Sequence, residues 1–178
     1  MRLYKLIPVM ALMILLIGCT NQQMDYSQMF AKLDGEAITY KDVMIRYQIS
    51  EENKQTFLKE EVTVTQAKED GITITSEEIT VRMKSTFPGE TQQEMYGNIV
   101  ERSFYEEQGE KLGMTPVTYF SMWNESYHTT ESYVQAYVSK HFGSISEADD
   151  VSKWTQEVES HLDGLVETFM DSGRLVID

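Results

Sequence analysis

Apolar residues recur every three or four positions along most of the chain, which is the spacing of amphipathic helices. The longest such stripe lies near the C-terminus. Its members are Val151, Trp154, Val158, Leu162, Leu165 and Phe169. Gly173 follows the stripe and ends this helix, because glycine readily takes the backbone conformation found just after a helix. The whole pattern predicts about six or seven helices and therefore a mainly α, compact multi-helix fold.

Capping pairs mark where several helices begin, because a Thr side chain and an acidic side chain three residues later can each bond the other's backbone N–H. Such pairs are Thr39 and Asp42, Thr75 and Glu78, and Thr91 and Glu94. Between the first two pairs, the pattern predicts a helix from about Gln55 to Asp70. The third pair predicts a helix that continues to Gly113.

Two further helices are predicted before the last one. Thr115 caps the first of these, with Pro116 at the first helical position, where proline removes no helical hydrogen bond. Thr129 or Thr130 is predicted to cap the second, which ends at Gly143.

Strand signals occur near both ends of the predicted domain. The segment from Ala31 to Thr39 places Asp34-Gly35 between two short alternating runs, which favours a hairpin with a two-residue turn. The segment from Arg174 to Asp178 predicts a short C-terminal strand. We expect Leu175–Ile177 to pair with an edge of the hairpin and so hold the last helix against the first.

The N-terminus has the pattern of an export signal, with Arg2 and Lys5 before an apolar run that ends at Ile17. This run is too short to span a bilayer, which needs about 20 residues. Leu16-Ile17-Gly18-Cys19 resembles the bacterial lipobox, and the resemblance implies cleavage before Cys19 and palmitate-type acylation of that residue. The alternatives are an ordinary signal peptide or a membrane-bound N-terminal hairpin.

These features predict three regions. Residues 1–18 form a lipoprotein signal peptide, residues 19–30 a lipid-anchored tether, and residues 31–178 the helical domain. The lipobox resemblance implies a protein anchored to the cell membrane at its extracytoplasmic face. Two acyl chains on one residue would give stable anchoring, which a single chain does not.

The charge of the chain narrows the possible partners. Removal of residues 1–18 takes away two basic residues and no acidic ones, which leaves 13 basic against 29 acidic residues and a net charge of −16. Such a charge argues against nucleic acid and against a polybasic membrane-binding patch. Cys19 is the only cysteine, so its lipidation would exclude disulfides and cysteine catalysis.

Two stretches resemble the SurA/PrsA-type extracytoplasmic chaperone-isomerases. AKLDGEAITYKDV (residues 31–43) resembles the opening hairpin and first helix of the N-terminal domain of that family, and AKEDGITITSEEI (residues 67–79) resembles the junction of its second and third helices. Gly113-Met114-Thr115-Pro116 fits the same domain more loosely. The resemblance implies a SurA N-terminal-like helical domain that cradles extended or unfolded polypeptide. Members often insert a parvulin isomerase domain before the last helix, but only eight residues separate Phe142 from Val151 here.

Catalytic and metal-binding motifs are not found in the sequence. His128, His141 and His161 form no H-E-x-x-H pair, and no G-x-S-x-G elbow, P-loop or G-x-G-x-x-G is present. The adjacent acidic pairs lack the spacing of a calcium loop. We therefore expect no enzyme activity, cofactor or metal, and we interpret each histidine as a surface or helix-end residue.

Aromatic residues are dense in the segment from Tyr105 to Phe142. As candidate peptide-binding residues we take Tyr119, Phe120, Trp123, Tyr127, Tyr133 and Tyr137. Rings offer a large contact area at low entropic cost, which suits the binding of unfolded segments. The alternative is that half or more of these rings belong to the core.

Two functions follow from these patterns. The first is a membrane-anchored, non-enzymatic lipoprotein that binds unfolded or extended polypeptides and assists the folding of exported proteins. The second is an assembly or structural lipoprotein with one dedicated envelope or spore protein as its partner. The sequence leaves the client and the oligomeric state open.

Overall fold

A computed structural model of the chain describes residues 24–178. The predicted signal peptide, the lipid-attachment residue Cys19 and residues 20–23 of the predicted tether lie outside the described residues. Within residues 24–178 the chain forms seven α-helices and one small antiparallel sheet. The predicted mainly α fold, with a hairpin near the start and a C-terminal strand, is confirmed.

The elements follow one another along the chain, with a short 3-10 turn at Ile145–Glu147 between the last two helices. The strands are β1 (Met29–Leu33), β2 (Glu36–Thr39) and β3 (Leu175–Ile177). The helices are α1 (Tyr40–Arg46), α2 (Glu51–Glu69), α3 (Ser76–Thr86), α4 (Gln92–Gly97), α5 (Ser103–Lys111), α6 (Pro116–Phe142) and α7 (Val151–Asp171).

The three predicted capping boxes are all formed, at the first residues of α1, α3 and α4. At α1, for example, the Thr39 backbone N–H donates to Asp42 Oδ2 at 2.8 Å. Pro116 occupies the first turn of α6 after the Thr115 cap, also as predicted. The helix predicted from about Gln55 begins earlier, at Glu51, because Ser50 caps it by accepting the Asn53 N–H at 3.0 Å.

The sheet has the strand order β2-β1-β3, with both pairings antiparallel. Asp34 and Gly35 form the hairpin turn with positive φ values of 51° and 85°, which is the conformation that a two-residue type I′ turn requires. Leu175 pairs with Leu33, and Ile177 pairs with Ala31. The predicted addition of the C-terminal strand to the hairpin is therefore confirmed.

Two predicted helix boundaries are wrong. The helix expected from Thr91 to Gly113 is divided into α4 and α5, because the Arg102 side chain donates to the Ile99 carbonyl at 2.8 Å and the intervening Val100 is 93% exposed. The break expected at Thr129 or Thr130 does not occur, since α6 runs through both residues. The Thr130 hydroxyl bonds the Arg46 side chain instead of capping a helix.

The folded domain begins before the predicted boundary at residue 31. Met29 and Phe30 belong to β1, and Phe30 is only 5% exposed. The preceding turn is bonded to α1, because the Lys41 N–H donates to the Tyr26 carbonyl at 2.7 Å. The residues from Tyr26 onwards are thus part of the fold rather than of a tether.

The core consists of three clusters of buried side chains that meet along the long helices. The first lies between the sheet, α2 and α7, and contains Phe30, Ile38, Phe57, Leu58, Val62, Phe169 and Leu175. The second, the aromatic core cluster, lies between α4, α5 and α6, and contains Met95, Tyr96, Tyr105, Tyr119 and Phe120. The third contains Ala67, Tyr137, Val158 and Leu162 and joins α2, α6 and α7.

Candidate functional site

Half of the aromatic residues predicted to bind peptide are core residues. Tyr119 and Phe120 are 0% exposed and Tyr137 is 2% exposed. The rings of Phe120 and Tyr105 pack edge to face with centroids 5.3 Å apart, because α4 and α5 cover this face of α6. Burial also raises the pKa of Tyr105 to about 12. The prediction of an open aromatic cleft that includes these three residues is wrong.

The hydroxyl groups of these core tyrosines have structural partners. Tyr119 OH donates to the Met44 carbonyl at 2.7 Å, which satisfies a carbonyl at the C-terminal end of α1. Tyr137 OH lies 2.9 Å from His161 Nε2 and joins α6 to α7. These contacts hold helices together and leave no ring face for a client.

Trp123, Tyr127 and Tyr133 are half-buried. Trp123 and Tyr127 stack on each other with centroids 5.0 Å apart and an interplanar angle of 10°. Tyr133 lies under the ammonium group of Lys68, which is 5.3 Å from its ring centroid. These three rings are the part of the predicted set that a ligand could still contact, but they do not line one cleft.

A groove with a volume of about 550 Å³ lies between the hairpin and α2. We call it the hairpin groove. Residues of β2, α1 and α2 form most of its wall, because α1 follows the hairpin directly and α2 packs beneath the sheet. Its lining residues are Leu33, Asp34, Glu36, Ala37, Ile38, Asp42, Ile45, Arg46, Phe57, Glu61, Val64, Thr65, Lys68 and Ser126.

The hairpin groove combines an apolar floor with a charged rim. Ile38, Phe57 and Val64 are buried, with at most 8% of each exposed, and belong to the floor. Glu36 and Lys68, by contrast, are exposed at the rim. Concave sites of this composition bind ligands through apolar burial and use a few polar groups for orientation.

Arg46 of α1 lies in the wall of the hairpin groove and is held by groups from two other helices, α2 and α6. Its side chain is 3% exposed, and its Nη2 lies 2.8 Å from Glu61 Oε1 and 3.3 Å from Glu60 Oε2. Its guanidinium carbon is 4.2 Å from the centroid of the Phe57 ring, and its Nη1 donates to the Thr130 hydroxyl. Burial raises the pKa of Glu60, and the Arg46 charge offsets part of that rise. This ion cluster fixes α1 against α2 and α6 and so keeps the groove wall in place.

A second feature of α6, separate from the hairpin groove, is a stripe of buried polar residues. Asn124, His128 and Ser132 are spaced by four residues and are each at most 3% exposed. Among the described residues, no group forms a hydrogen bond with either ring nitrogen of His128. Phe87 packs edge-on against this ring, with centroids 6.4 Å apart. The expectation that every histidine lies at the surface or at a helix end is wrong for His128.

Burial lowers the pKa of His128 below its ordinary value of 6.5, and Arg82 lowers it further, while Glu131 opposes the shift. The folded state therefore holds His128 neutral at a pH at which the unfolded chain binds a proton. We expect the free energy of unfolding to fall as the pH drops below about 6.5. His128→Leu, which cannot titrate, should show a smaller fall between pH 7 and pH 5 in urea unfolding.

The comparison with the variant is necessary because the raised pKa of Glu60 has the opposite effect on the free energy of unfolding as the pH falls. Asn124→Leu is the matched control, since it makes a similar polar-to-apolar change in the same buried stripe at a residue that does not titrate, and it should leave the acid destabilisation intact. Equal pH dependence of wild type and His128→Leu would contradict the role assigned to His128.

The sequence predicted the elements that form the hairpin groove but not the groove. Its wall is formed by the hairpin, α1 and α2, and all three elements were predicted from local patterns. One signal in the sequence could have indicated the groove. The predicted C-terminal strand occupies only one edge of the hairpin, so the other edge is open to a ligand. Aromatic density pointed instead to α6, where the rings were needed for the core.

Among residues 24–178, no group of three or more His, Cys, Asp or Glu side chains is arranged to hold a metal ion. No helix in the same range is both long enough and apolar enough to cross a bilayer. In comparisons with known proteins, no family model, curated protein or solved structure matches the chain.

Proposed function

We propose that the protein binds unfolded or extended polypeptide segments in the hairpin groove, while a lipid on Cys19 holds it at the extracytoplasmic face of the cell membrane. It assists exported proteins by keeping such segments from aggregating, and it does so without enzymatic activity. The observation that carries the proposal is the groove of about 550 Å³ with an apolar floor and a charged rim.

The shape of the site supports a chain-like ligand rather than a small molecule. Residues of a strand, β2, and of a long helix, α2, line the groove. Its apolar floor offers contact to side chains of many sequences, which favours weak and broad binding. The net charge of −16 keeps a complex soluble and favours neutral or basic clients.

The membrane anchor is supported by the lipobox resemblance of Leu16-Ile17-Gly18-Cys19. Mass spectrometry of the protein purified from its native membrane tests this part separately. An N-terminus at an acylated Cys19 is the expected result. An unmodified Cys19 would contradict the anchor and leave peptide binding to be judged by itself.

The binding activity is tested by aggregation of a chemically unfolded protein with and without residues 20–178. Thr65→Trp places a large ring in the groove, because the half-buried Thr65 side chain lies in its wall. We expect wild type to suppress aggregation and Thr65→Trp to have lost most of this effect. Thr155→Trp is the matched control, because it makes the same change on α7 at an exposed threonine.

The two threonines are closely comparable within their helices. The Thr65 hydroxyl donates to the Glu61 carbonyl at 2.8 Å, and the Thr155 hydroxyl donates to the Val151 carbonyl at 2.9 Å. Equal suppression by wild type and Thr65→Trp would show that the groove is not the site. A lack of suppression by wild type would favour a single dedicated partner, which crosslinking in the native membrane would recover as one species.

A further inference from the structure

We propose that the hairpin groove binds an extended segment as a fourth strand on the outer edge of β2, and that segments that combine apolar with basic residues bind best. This inference rests on the proposed function, and it adds the binding mode and the class of client. It follows from the hydrogen-bond pattern of the sheet and from the charges around the groove.

The sheet leaves one backbone donor and one acceptor of Ala37 free. In an antiparallel ladder, alternate residues of a strand direct their N–H and C=O groups to opposite sides. The even-numbered residues of β1 and its turn direct their backbone groups to the side of β3. The Asp178 N–H donates to the Phe30 carbonyl at 3.0 Å, and the Asp34 N–H donates to the Arg174 carbonyl at 2.8 Å. The odd-numbered residues of β1 therefore face β2.

The partners of those odd-numbered residues are Ile38, opposite Ala31, and Glu36, opposite Leu33. Ala37 lies between them, so its N–H and C=O point away from β1. Within residues 24–178, no strand pairs with this outer edge. Ala37 is exposed and lines the groove, and its methyl group leaves room for an incoming backbone.

A strand added at this edge would present its side chains alternately to the two faces of the sheet. One set would lie over the groove floor, where Ile38, Phe57 and Val64 favour apolar side chains. The other set would lie on the face that carries the exposed Ala37. The floor thus selects apolar residues at every second position. In strand addition the backbone hydrogen bonds usually provide affinity, and contacts of alternate side chains provide specificity.

The charges around the groove favour a basic over an acidic segment. Among its charged lining residues, Asp34 is paired with Arg174 and Glu61 with Arg46, which leaves Glu36 and Asp42 against Lys68. Arg46 is already held by Glu60 and Glu61. Glu36 is exposed on the same face of β2 as Ile38, because residues two positions apart in a strand share a face. It is therefore placed at the end of the apolar floor, where it can attract a Lys or Arg of the added strand.

The proposal is tested by fluorescence anisotropy with a labelled short peptide of alternating valine and lysine and the protein of residues 20–178. Ala37→Pro removes the outward N–H, and proline is tolerated on an edge strand where that N–H faces solvent. We expect its affinity to be about tenfold lower than that of wild type. Ala37→Val keeps the N–H and should bind like wild type. A circular dichroism melt verifies that both variants fold.

Two N-methylated peptides give a second readout that needs no change in the protein. In one peptide every odd amide is methylated, and in the other every even amide. Strand addition requires one of them to lose binding and the other to keep it. Retention by both, or unchanged binding by Ala37→Pro, would overturn strand addition while leaving the proposed function intact. Equal binding of a valine–glutamate peptide would overturn the preference for basic clients. A lack of binding of any peptide by wild type would overturn both proposals.

Discussion

Truncation of the chain after Gly173 should lower the free energy of unfolding by about 4 kcal/mol. The truncation removes β3 and with it Leu175, which is 2% exposed and packs against Phe169 and Phe30 in the first core cluster. Loss of a buried leucine side chain alone costs about 2–5 kcal/mol. The truncation also removes Arg174, whose Nε lies 2.7 Å from Asp34 Oδ1. Urea unfolding followed by circular dichroism measures the effect.

Single substitutions separate the contributions to this loss. Leu175→Ala should account for most of it, at about 3 kcal/mol. Val176→Ala is the matched control, because Val176 is 46% exposed in the same strand and should change stability by less than about 1 kcal/mol. A truncated protein that melts at the same temperature as wild type would contradict the pairing of β3 with β1.

Arg46→Met should destabilise the domain by about 3 kcal/mol. The substitution keeps a long apolar stem against Phe57 but leaves the Glu60 and Glu61 carboxylates without their cation. Removal of one partner from a buried ion cluster typically costs about 3–5 kcal/mol, because the remaining charge loses its compensation. We place the effect at the lower end, since the Glu60 and Glu61 side chains keep 24% and 31% of their exposure.

A second substitution tests the reason for this cost. Glu60→Gln in the Arg46→Met background should restore part of the lost stability, because it removes the buried charge that has no partner. Arg82→Met is the matched control, since Arg82 donates to Gln135 at an exposed contact and its removal should cost less than about 1 kcal/mol. An Arg46→Met variant as stable as wild type would show that the cluster does not fix α1.

The elements with local signals were predictable from the sequence. The capping boxes at Thr39, Thr75 and Thr91 involve residues three positions apart, so the sequence contains both partners of each contact. The Asp34-Gly35 turn is set in the same way by residues that tolerate positive φ. β3 was predictable because a strand needs a partner, and the hairpin near the start of the domain offered a free edge.

The errors arose where long-range contacts decide the structure. Thr130 was predicted as a possible helix cap, but its hydroxyl accepts a hydrogen bond from Arg46 of α1, and α6 continues through it. The helix predicted from Thr91 to Gly113 is interrupted at Val100, which lies in the exposed link between α4 and α5. The partner that determines the local structure is a residue distant in sequence for Thr130 and solvent for Val100. The local spacing of residue types contains no information about either partner.

The candidate site illustrates the same limit. Tyr119, Phe120 and Tyr137 have the residue types of a binding surface, but aromatic residues serve a core equally well. Which use applies depends on whether another helix covers them, and α4, α5 and α7 do so here. The hairpin groove involves few aromatic residues, so composition did not mark it. It became visible only when the sheet edge and α2 were placed together.

The most direct test of polypeptide binding in the hairpin groove is photo-crosslinking with a peptide. A valine–lysine peptide with one photoreactive side chain is crosslinked to residues 20–178, and the attachment sites are mapped by mass spectrometry. We predict sites within Glu36–Ile38 of β2 and Glu61–Lys68 of α2, which disappear when an excess of unlabelled peptide is added. Sites confined to the half-buried rings of α6, at Trp123 and Tyr127, or spread evenly over the surface would contradict the groove as the binding site.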